Sequence, residues 1–144
     1  MRVFITLLVA LFATLASAAT WECAGKAIMA PWKGSQEAVK YMQYMVKHQN
    51  PNFPPAVGAG PRPPCAKVYC AHDTLLEWCT EENKRDDVLI EDILKATQQL
   101  QEVCHADYKG KVTGGVWHGH HDAGKWRIIL QNDSGCKGSK NSIA

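Results

Sequence analysis

The chain has no Gly-x-Ser-x-Gly elbow, no His-Glu-x-x-His pair and no glycine-rich phosphate loop. This removes the enzymes that a short motif would announce and leaves those whose groups meet only on folding. It lacks a Cys-x-x-Cys pair, which argues against zinc-ribbon and dithiol sites. Charge of one sign is also lacking. Sixteen Lys and Arg stand against fourteen Asp and Glu, a net charge of +2. With so small an excess there is no overall field to draw the chain to a nucleic-acid backbone or an anionic membrane, and no nucleic-acid partner is expected. Beyond the first residues, no apolar run approaches the roughly 20 residues that a bilayer demands.

The first residues do carry an apolar run. Met1-Arg2 gives a basic start, Val3 to Leu15 an apolar core, and Ala16-Ser17-Ala18 the small residues at a cleavage site. Together they read as a secretory signal peptide over 1–18. About 125 residues follow, enough for one core. The division expected is a single secreted disulfide-rich domain over 19–136 and a polar tail over 137–144. Six cysteines, Cys23, Cys65, Cys70, Cys79, Cys104 and Cys136, all lie in that domain. An even number in a small extracellular chain implies three disulfides. The pairing preferred here is Cys65 to Cys79, Cys70 to Cys104 and Cys23 to Cys136.

Trp21 and Cys23 suggest an N-terminal strand anchored by a buried indole and a disulfide. Ser35 reads as the N-cap of a helix with Glu37 in its first turn; Ala38, Tyr41, Met42 and Met45 follow at helical spacing, and Asn50-Pro51 ends it. Most of the prolines fall between Pro51 and Pro64, an extended loop. Lys67–Cys70 and Thr74–Cys79 read as a hairpin around Ala71-His72-Asp73, which would set Cys65 nearly opposite Cys79. After the charged run Thr80–Asp87, Asp86 or Asp87 is placed to cap the most periodic helix of the chain. That helix presents Ile90, Ile93, Leu94, Thr97, Leu100 and Cys104 on one face.

A second hairpin comes next, Gly110–His118 and Lys125–Gln131. Gly114-Gly115 suggests a bulge, and Trp126, Ile128 and Leu130 alternate with Arg127, Ile129 and Gln131. The fold class expected is α+β, two helices packed on a small antiparallel sheet and stabilised by disulfides.

Chemistry is sparser. His118, His120, His121 and Asp122 crowd the turn of the second hairpin and offer imidazole nitrogens and a carboxylate suited to zinc, copper or nickel. Acid and base groups for hydrolysis are available in Glu22, Glu77, His72 and His118, but no spacing joins any two. No catalytic residue is assigned, and no cofactor is implied. Asn132-Asp133-Ser134 is a glycosylation sequon.

Two resemblances bear on these features. Trp21-x-Cys23 after a signal peptide, a later helix, antiparallel strands and a final cysteine resemble small secreted fungal effectors with an aromatic-x-Cys motif, several of which have the fold of guanyl-specific fungal ribonucleases without their catalytic set. Active members of that fold place a catalytic histidine after a late catalytic arginine, and no histidine follows Arg127. The helix Lys95–Cys104 followed by Trp126 to Cys136 is similar to killer-toxin-like and necrosis-inducing α/β effectors. Both resemblances imply a secreted virulence or toxin-like protein that acts without catalysis on a host or competitor protein or cell-surface target; a monomer with no membrane anchor is expected. The alternatives are a secreted ribonuclease-like hydrolase using His72 or His118 with a glutamate, and a metal-binding protein through the His118 to Asp122 turn.

Overall fold

Strand alternation around Trp126, Ile128 and Leu130 becomes the middle of a five-stranded sheet. The computed structural model describes residues 19–48, 64–80, 88–121 and 124–138. The signal segment, the proline loop up to residue 63, residues 81–87 with Asp86 and Asp87, Asp122 and the end of the tail lie outside the described residues. In chain order the elements are β1 (Thr20–Cys23), β2 (Ala30–Pro31), α1 (Trp32–Lys47), β3 (Cys65–Ala71), β4 (Thr74–Thr80), α2 (Ile90–Val103), β5 (His105–Asp107), β6 (Lys111–Thr113), β7 (Gly115–His121) and β8 (Gly124–Asn132). One sheet has the order β1-β7-β8-β4-β3 and the other β2-β6-β5. Every pairing is antiparallel. The α+β class with disulfides therefore holds, but the strands form two sheets rather than one small one.

Gly114 divides the second hairpin's first strand in two. Its φ of +151° favours glycine, and a Cβ there would stand 2.5 Å from the Leu130 carbonyl oxygen. The chain thus leaves the three-stranded sheet after Thr113 and enters the five-stranded sheet at Gly115, so the expected bulge is a crossing between sheets. Strand β7 also runs on to His121, which pairs with Gly124, and the wide turn expected from Gly119 to Gly124 shortens accordingly. The β3–β4 hairpin turns at His72 and Asp73, both at φ 54°. That left-handed pair gives a two-residue turn whose twist matches the strands.

Both helices cover one face of the five-stranded sheet. Helix α2 buries Ile90, Ile93, Ala96, Thr97 and Leu100 in a core shared with Leu76, Trp78, Ile128 and Leu130. Leu89 stands at its N-cap without a side-chain cap, while Glu91 and Asp92 occupy the first turn, where the helix dipole favours negative charge. Helix α1 starts three residues before the expected Ser35, at Trp32, because Pro31 with φ −56° already sets the helical entry. Ser35 is instead buried inside the helix and accepts a hydrogen bond from the Gln101 side chain. Gly34 explains why the first turn lies so close to β4. A Cβ there would overlap the Thr74 hydroxyl and stand 2.8 Å from the His72 carbonyl oxygen.

Three disulfides join these parts. Cys65–Cys79 crosses the β3–β4 hairpin between directly paired residues, as expected. The other two expected pairs are corrected to Cys23–Cys104 and Cys70–Cys136. The cause is topological. Strand β1 pairs with β7, so Cys23 lies opposite Gly115, while the Gly114 amide donates to the Cys104 carbonyl at 3.1 Å. Asn132 at the end of β8 pairs with Thr74, and the Asp73 amide donates to the Cys136 carbonyl at 2.9 Å, which brings Cys136 to Cys70. Trp21, expected to be buried, is 47 % exposed. The N-terminal strand is held by β7 and by Cys23 rather than by its indole.

Loop length orders the three bonds. Chain-entropy arithmetic gives about 4.5 kcal/mol for closing a separation of 81 residues and about 3 kcal/mol for one of 14. Replacing Cys23 and Cys104 with alanine is therefore expected to cost about 1.5 kcal/mol more than replacing Cys65 and Cys79. Urea unfolding of the two double variants measures the difference, and equal losses would refute the ordering.

Candidate functional site on the open sheet face

Alternation along each strand sends one set of side chains under the helices and the other set to the opposite face. Among the described residues neither helix packs on that opposite face. Register places its side chains in two cross-strand rows. One row runs Glu22, Val116, Ile129, Glu77 and Lys67, and the next runs Thr20, His118, Arg127, Cys79 and Cys65. Directly paired side chains have Cβ atoms about 5 Å apart, and diagonal neighbours lie about 7 Å apart. His118 is thus the direct neighbour of Arg127, and Glu77 is its diagonal neighbour.

Arg127 is half-buried, with its Nε inaccessible and, among the described residues, without a hydrogen-bond partner. Leaving a buried guanidinium nitrogen unpaired is costly, so the position is suited to a carboxylate or phosphate that pairs with it in a fork. Glu77 is half-buried beside it. Burial pushes its carboxyl above the ordinary range; Lys67, across the strand, opposes the shift and Asp133 adds to it. Desolvation is the larger effect because the ammonium of Lys67 is exposed to solvent. The face therefore joins a guanidinium whose Nε has no partner among the described residues, an imidazole and a carboxyl that retains its proton to higher pH than most.

The expected groups separate on this frame. Glu22 and Glu77 share a row but are three strand spacings apart, about 14 Å. That exceeds the separation at which two carboxyls act on one glycosidic bond. His72 does not join the face. It sits in the β3–β4 turn with its Nδ1 2.9 Å from the Tyr69 hydroxyl, next to an α1 surface where Lys40 hydrogen-bonds Glu37 at 2.8 Å and holds that carboxyl below its usual range. His118 is the histidine that the register places beside Arg127.

For the metal expectation, β7 carries the backbones of His118, His120 and His121, pairing with Arg127, Lys125 and Gly124. The side chains of His120 and His121, and Asp122, lie outside the described residues. Among the described residues no group of three His, Cys, Asp or Glu comes together to hold a metal ion. Asn132, the glycosylation candidate, is exposed at the end of β8. Among the described residues no helix is long and apolar enough to cross a membrane.

Arg127 was readable as a non-core residue of its strand but not as a neighbour of His118 and Glu77. Its signal is a charged side chain in the middle of an otherwise apolar run, Trp126 to Leu130. A period of two fixes which face it takes; only strand order fixes what stands beside it.

The raised Glu77 carboxyl gives a pH dependence of defined sign. A carboxyl with a folded value above its unfolded value favours folding while protonated, and that contribution is lost as pH rises through the folded value. Glu77→Gln is therefore expected to raise the melting temperature at pH about 7, with the gain vanishing below about pH 4, where the unfolded carboxyl is also protonated. Melting curves at both values test this, and a variant equally altered at both would contradict the assignment. Comparison of the chain with family models, with curated proteins and with solved structures finds no match in any of the three.

Proposed function

We propose that this chain is a secreted effector or toxin-like protein of a host-associated fungus, and that it binds a host or competitor target through the open face of the five-stranded sheet without turning it over. The observation that carries this reading is Arg127, whose buried Nε has no hydrogen-bond partner among the described residues and which stands next to His118 on a face that neither helix covers. Such a group is suited to an acidic side chain of a protein partner, where a bidentate pair adds orientation as well as affinity. Strands β7 and β8 that carry it are held between β1 and β4, whose Cys23 and Cys79 are in disulfides, so little ordering is lost on binding. The aromatic-x-Cys start and the leader-like first residues add the secreted, virulence-related setting.

Expression in plant tissue with and without residues 1–18 tests it, scored for cell death or suppression of an immune response. At least one form is expected to alter the response, and Arg127→Glu is expected to return it to background while circular dichroism keeps the fold signature. No response to either form, or full activity of a folded Arg127→Glu protein, would defeat the reading.

A second reading draws on the same register. In a ribonuclease-like hydrolase His118 and Glu77 would exchange protons with substrate and Arg127 would hold the phosphate. The raised Glu77 carboxyl and the direct His118–Arg127 pairing favour it. Purified protein would then cleave RNA with an optimum between about pH 4 and 8, and His118→Ala would lower the rate by about a hundredfold or more. RNA left intact across that range eliminates this reading and leaves the binding proposal standing.

A further inference from the structure

The helical side of the molecule has a separate concavity. An open groove of about 500 Å³ is lined by Trp32 at the start of α1 and by Lys95, Gln98, Gln99, Gln101 and Glu102 of α2. Lys95, Gln98, Gln99 and Glu102 follow helical spacing along one stripe, and Gln101 faces α1, where it hydrogen-bonds Ser35. The groove is on the face opposite Arg127, so its occupant is independent of any partner held there.

Two of its amides are held in place. The indole N–H of Trp117 donates to Gln99 Oε1 at 2.7 Å. An indole can only donate, so the carbonyl end of Gln99 is committed and its NH₂ is left to donate. Gln101 is fixed the other way, with its Nε2 donating to Ser35 Oγ and its Oε1 left to accept. The Trp32 ring is also fixed, with the Lys111 ammonium 3.6 Å from its centroid. Trp117 packs against Trp126 with the ring centroids 4.8 Å apart and the planes tilted by 48°, and its direct cross-strand neighbour Trp21 is 47 % exposed. Amides oriented in advance thus stand beside one ring of the lining, Trp32, and a second, Trp117, that reaches the groove through Gln99.

This lining selects a class of ligand. Lys95 and Glu102 cancel in charge and the Lys111 ammonium is turned onto the Trp32 ring, so a polyanion gains little. A peptide needs a pocket for an apolar anchor, and Trp32 is the sole apolar side chain of the lining. Hydroxyl groups donate and accept at once, which matches a fixed donor beside a fixed acceptor, and the apolar C–H face of a pyranose suits an indole surface. We propose that the groove between α1 and α2 binds a neutral oligosaccharide, held by the amides of Gln98, Gln99 and Gln101 and bordered by the indoles of Trp32 and Trp117.

Nuclear magnetic resonance titration of the disulfide-bonded protein with cellohexaose, laminarihexaose and chitohexaose, each to about 10 mM, tests the proposal. At least one is expected to shift the side-chain amide signals of Gln98, Gln99 and Gln101 saturably. A Gln98→Ala, Gln99→Ala double variant, at exposed positions, is expected to weaken that binding at least tenfold while the spectrum changes only around Trp117, whose indole loses Gln99 as acceptor. Absence of saturable shifts with all three sugars, shifts that survive in the double variant, or equal shifts with a neutral Gly-Ser hexapeptide would each overturn it.

Discussion

The pairing of β8 with a strand on each side is the constraint on which the rest of the molecule depends. Its partners β7 and β4 fix the order of the five-stranded sheet. Its alternation then decides both faces at once. Trp126, Ile128 and Leu130 form the floor under the helices, and Arg127 and Ile129 join the open face. Because side-chain direction reverses at each residue, a slip of one position would put Arg127 into the core and Ile128 into water. The buried charge alone makes that register prohibitive. The apolar core therefore specifies the polar face behind it.

The helices and hairpins were legible because their signals are local. Periodicity gave the buried faces of α1 and α2, and the spacing around His72-Asp73 gave the β3–β4 hairpin together with Cys65–Cys79. Boundaries shifted where a backbone constraint outweighed a side-chain signal, as at Pro31, which begins α1 ahead of the serine that looks like its cap. Failures came where spatial neighbours are distant in sequence. Pairing of Cys23 with Cys104 follows from β1 lying against β7, and nothing near either cysteine encodes that contact. The same limit hid the meeting of His118, Arg127 and Glu77, which depends on the order β7-β8-β4.

Two small residues also shape the molecule beyond what their sequence context conveys. Gly34 lets the first turn of α1 rest against the Thr74 hydroxyl and the His72 carbonyl, and Gly114 lets the backbone pass beside the Leu130 carbonyl between sheets. Along the chain Gly34 carries no signal of its own, and Gly114 suggests only a bulge. In the fold each is a point of close approach between layers, and larger side chains would force those layers apart.

The long Cys23–Cys104 bond also sets an order of assembly. Strand β1 is made first, yet both of its partners, β7 and Cys104, are synthesised far later, the cysteine 81 residues on. Between those moments Cys23 shares the growing chain with three other cysteines, at 65, 70 and 79. The hairpin bond between Cys65 and Cys79, only 14 residues apart, withdraws two of those competitors by a local closure that forms quickly. Cys70 then remains the earlier competitor for Cys23, and any Cys23–Cys70 bond would have to give way by thiol exchange before Cys23–Cys104 and Cys70–Cys136 could close.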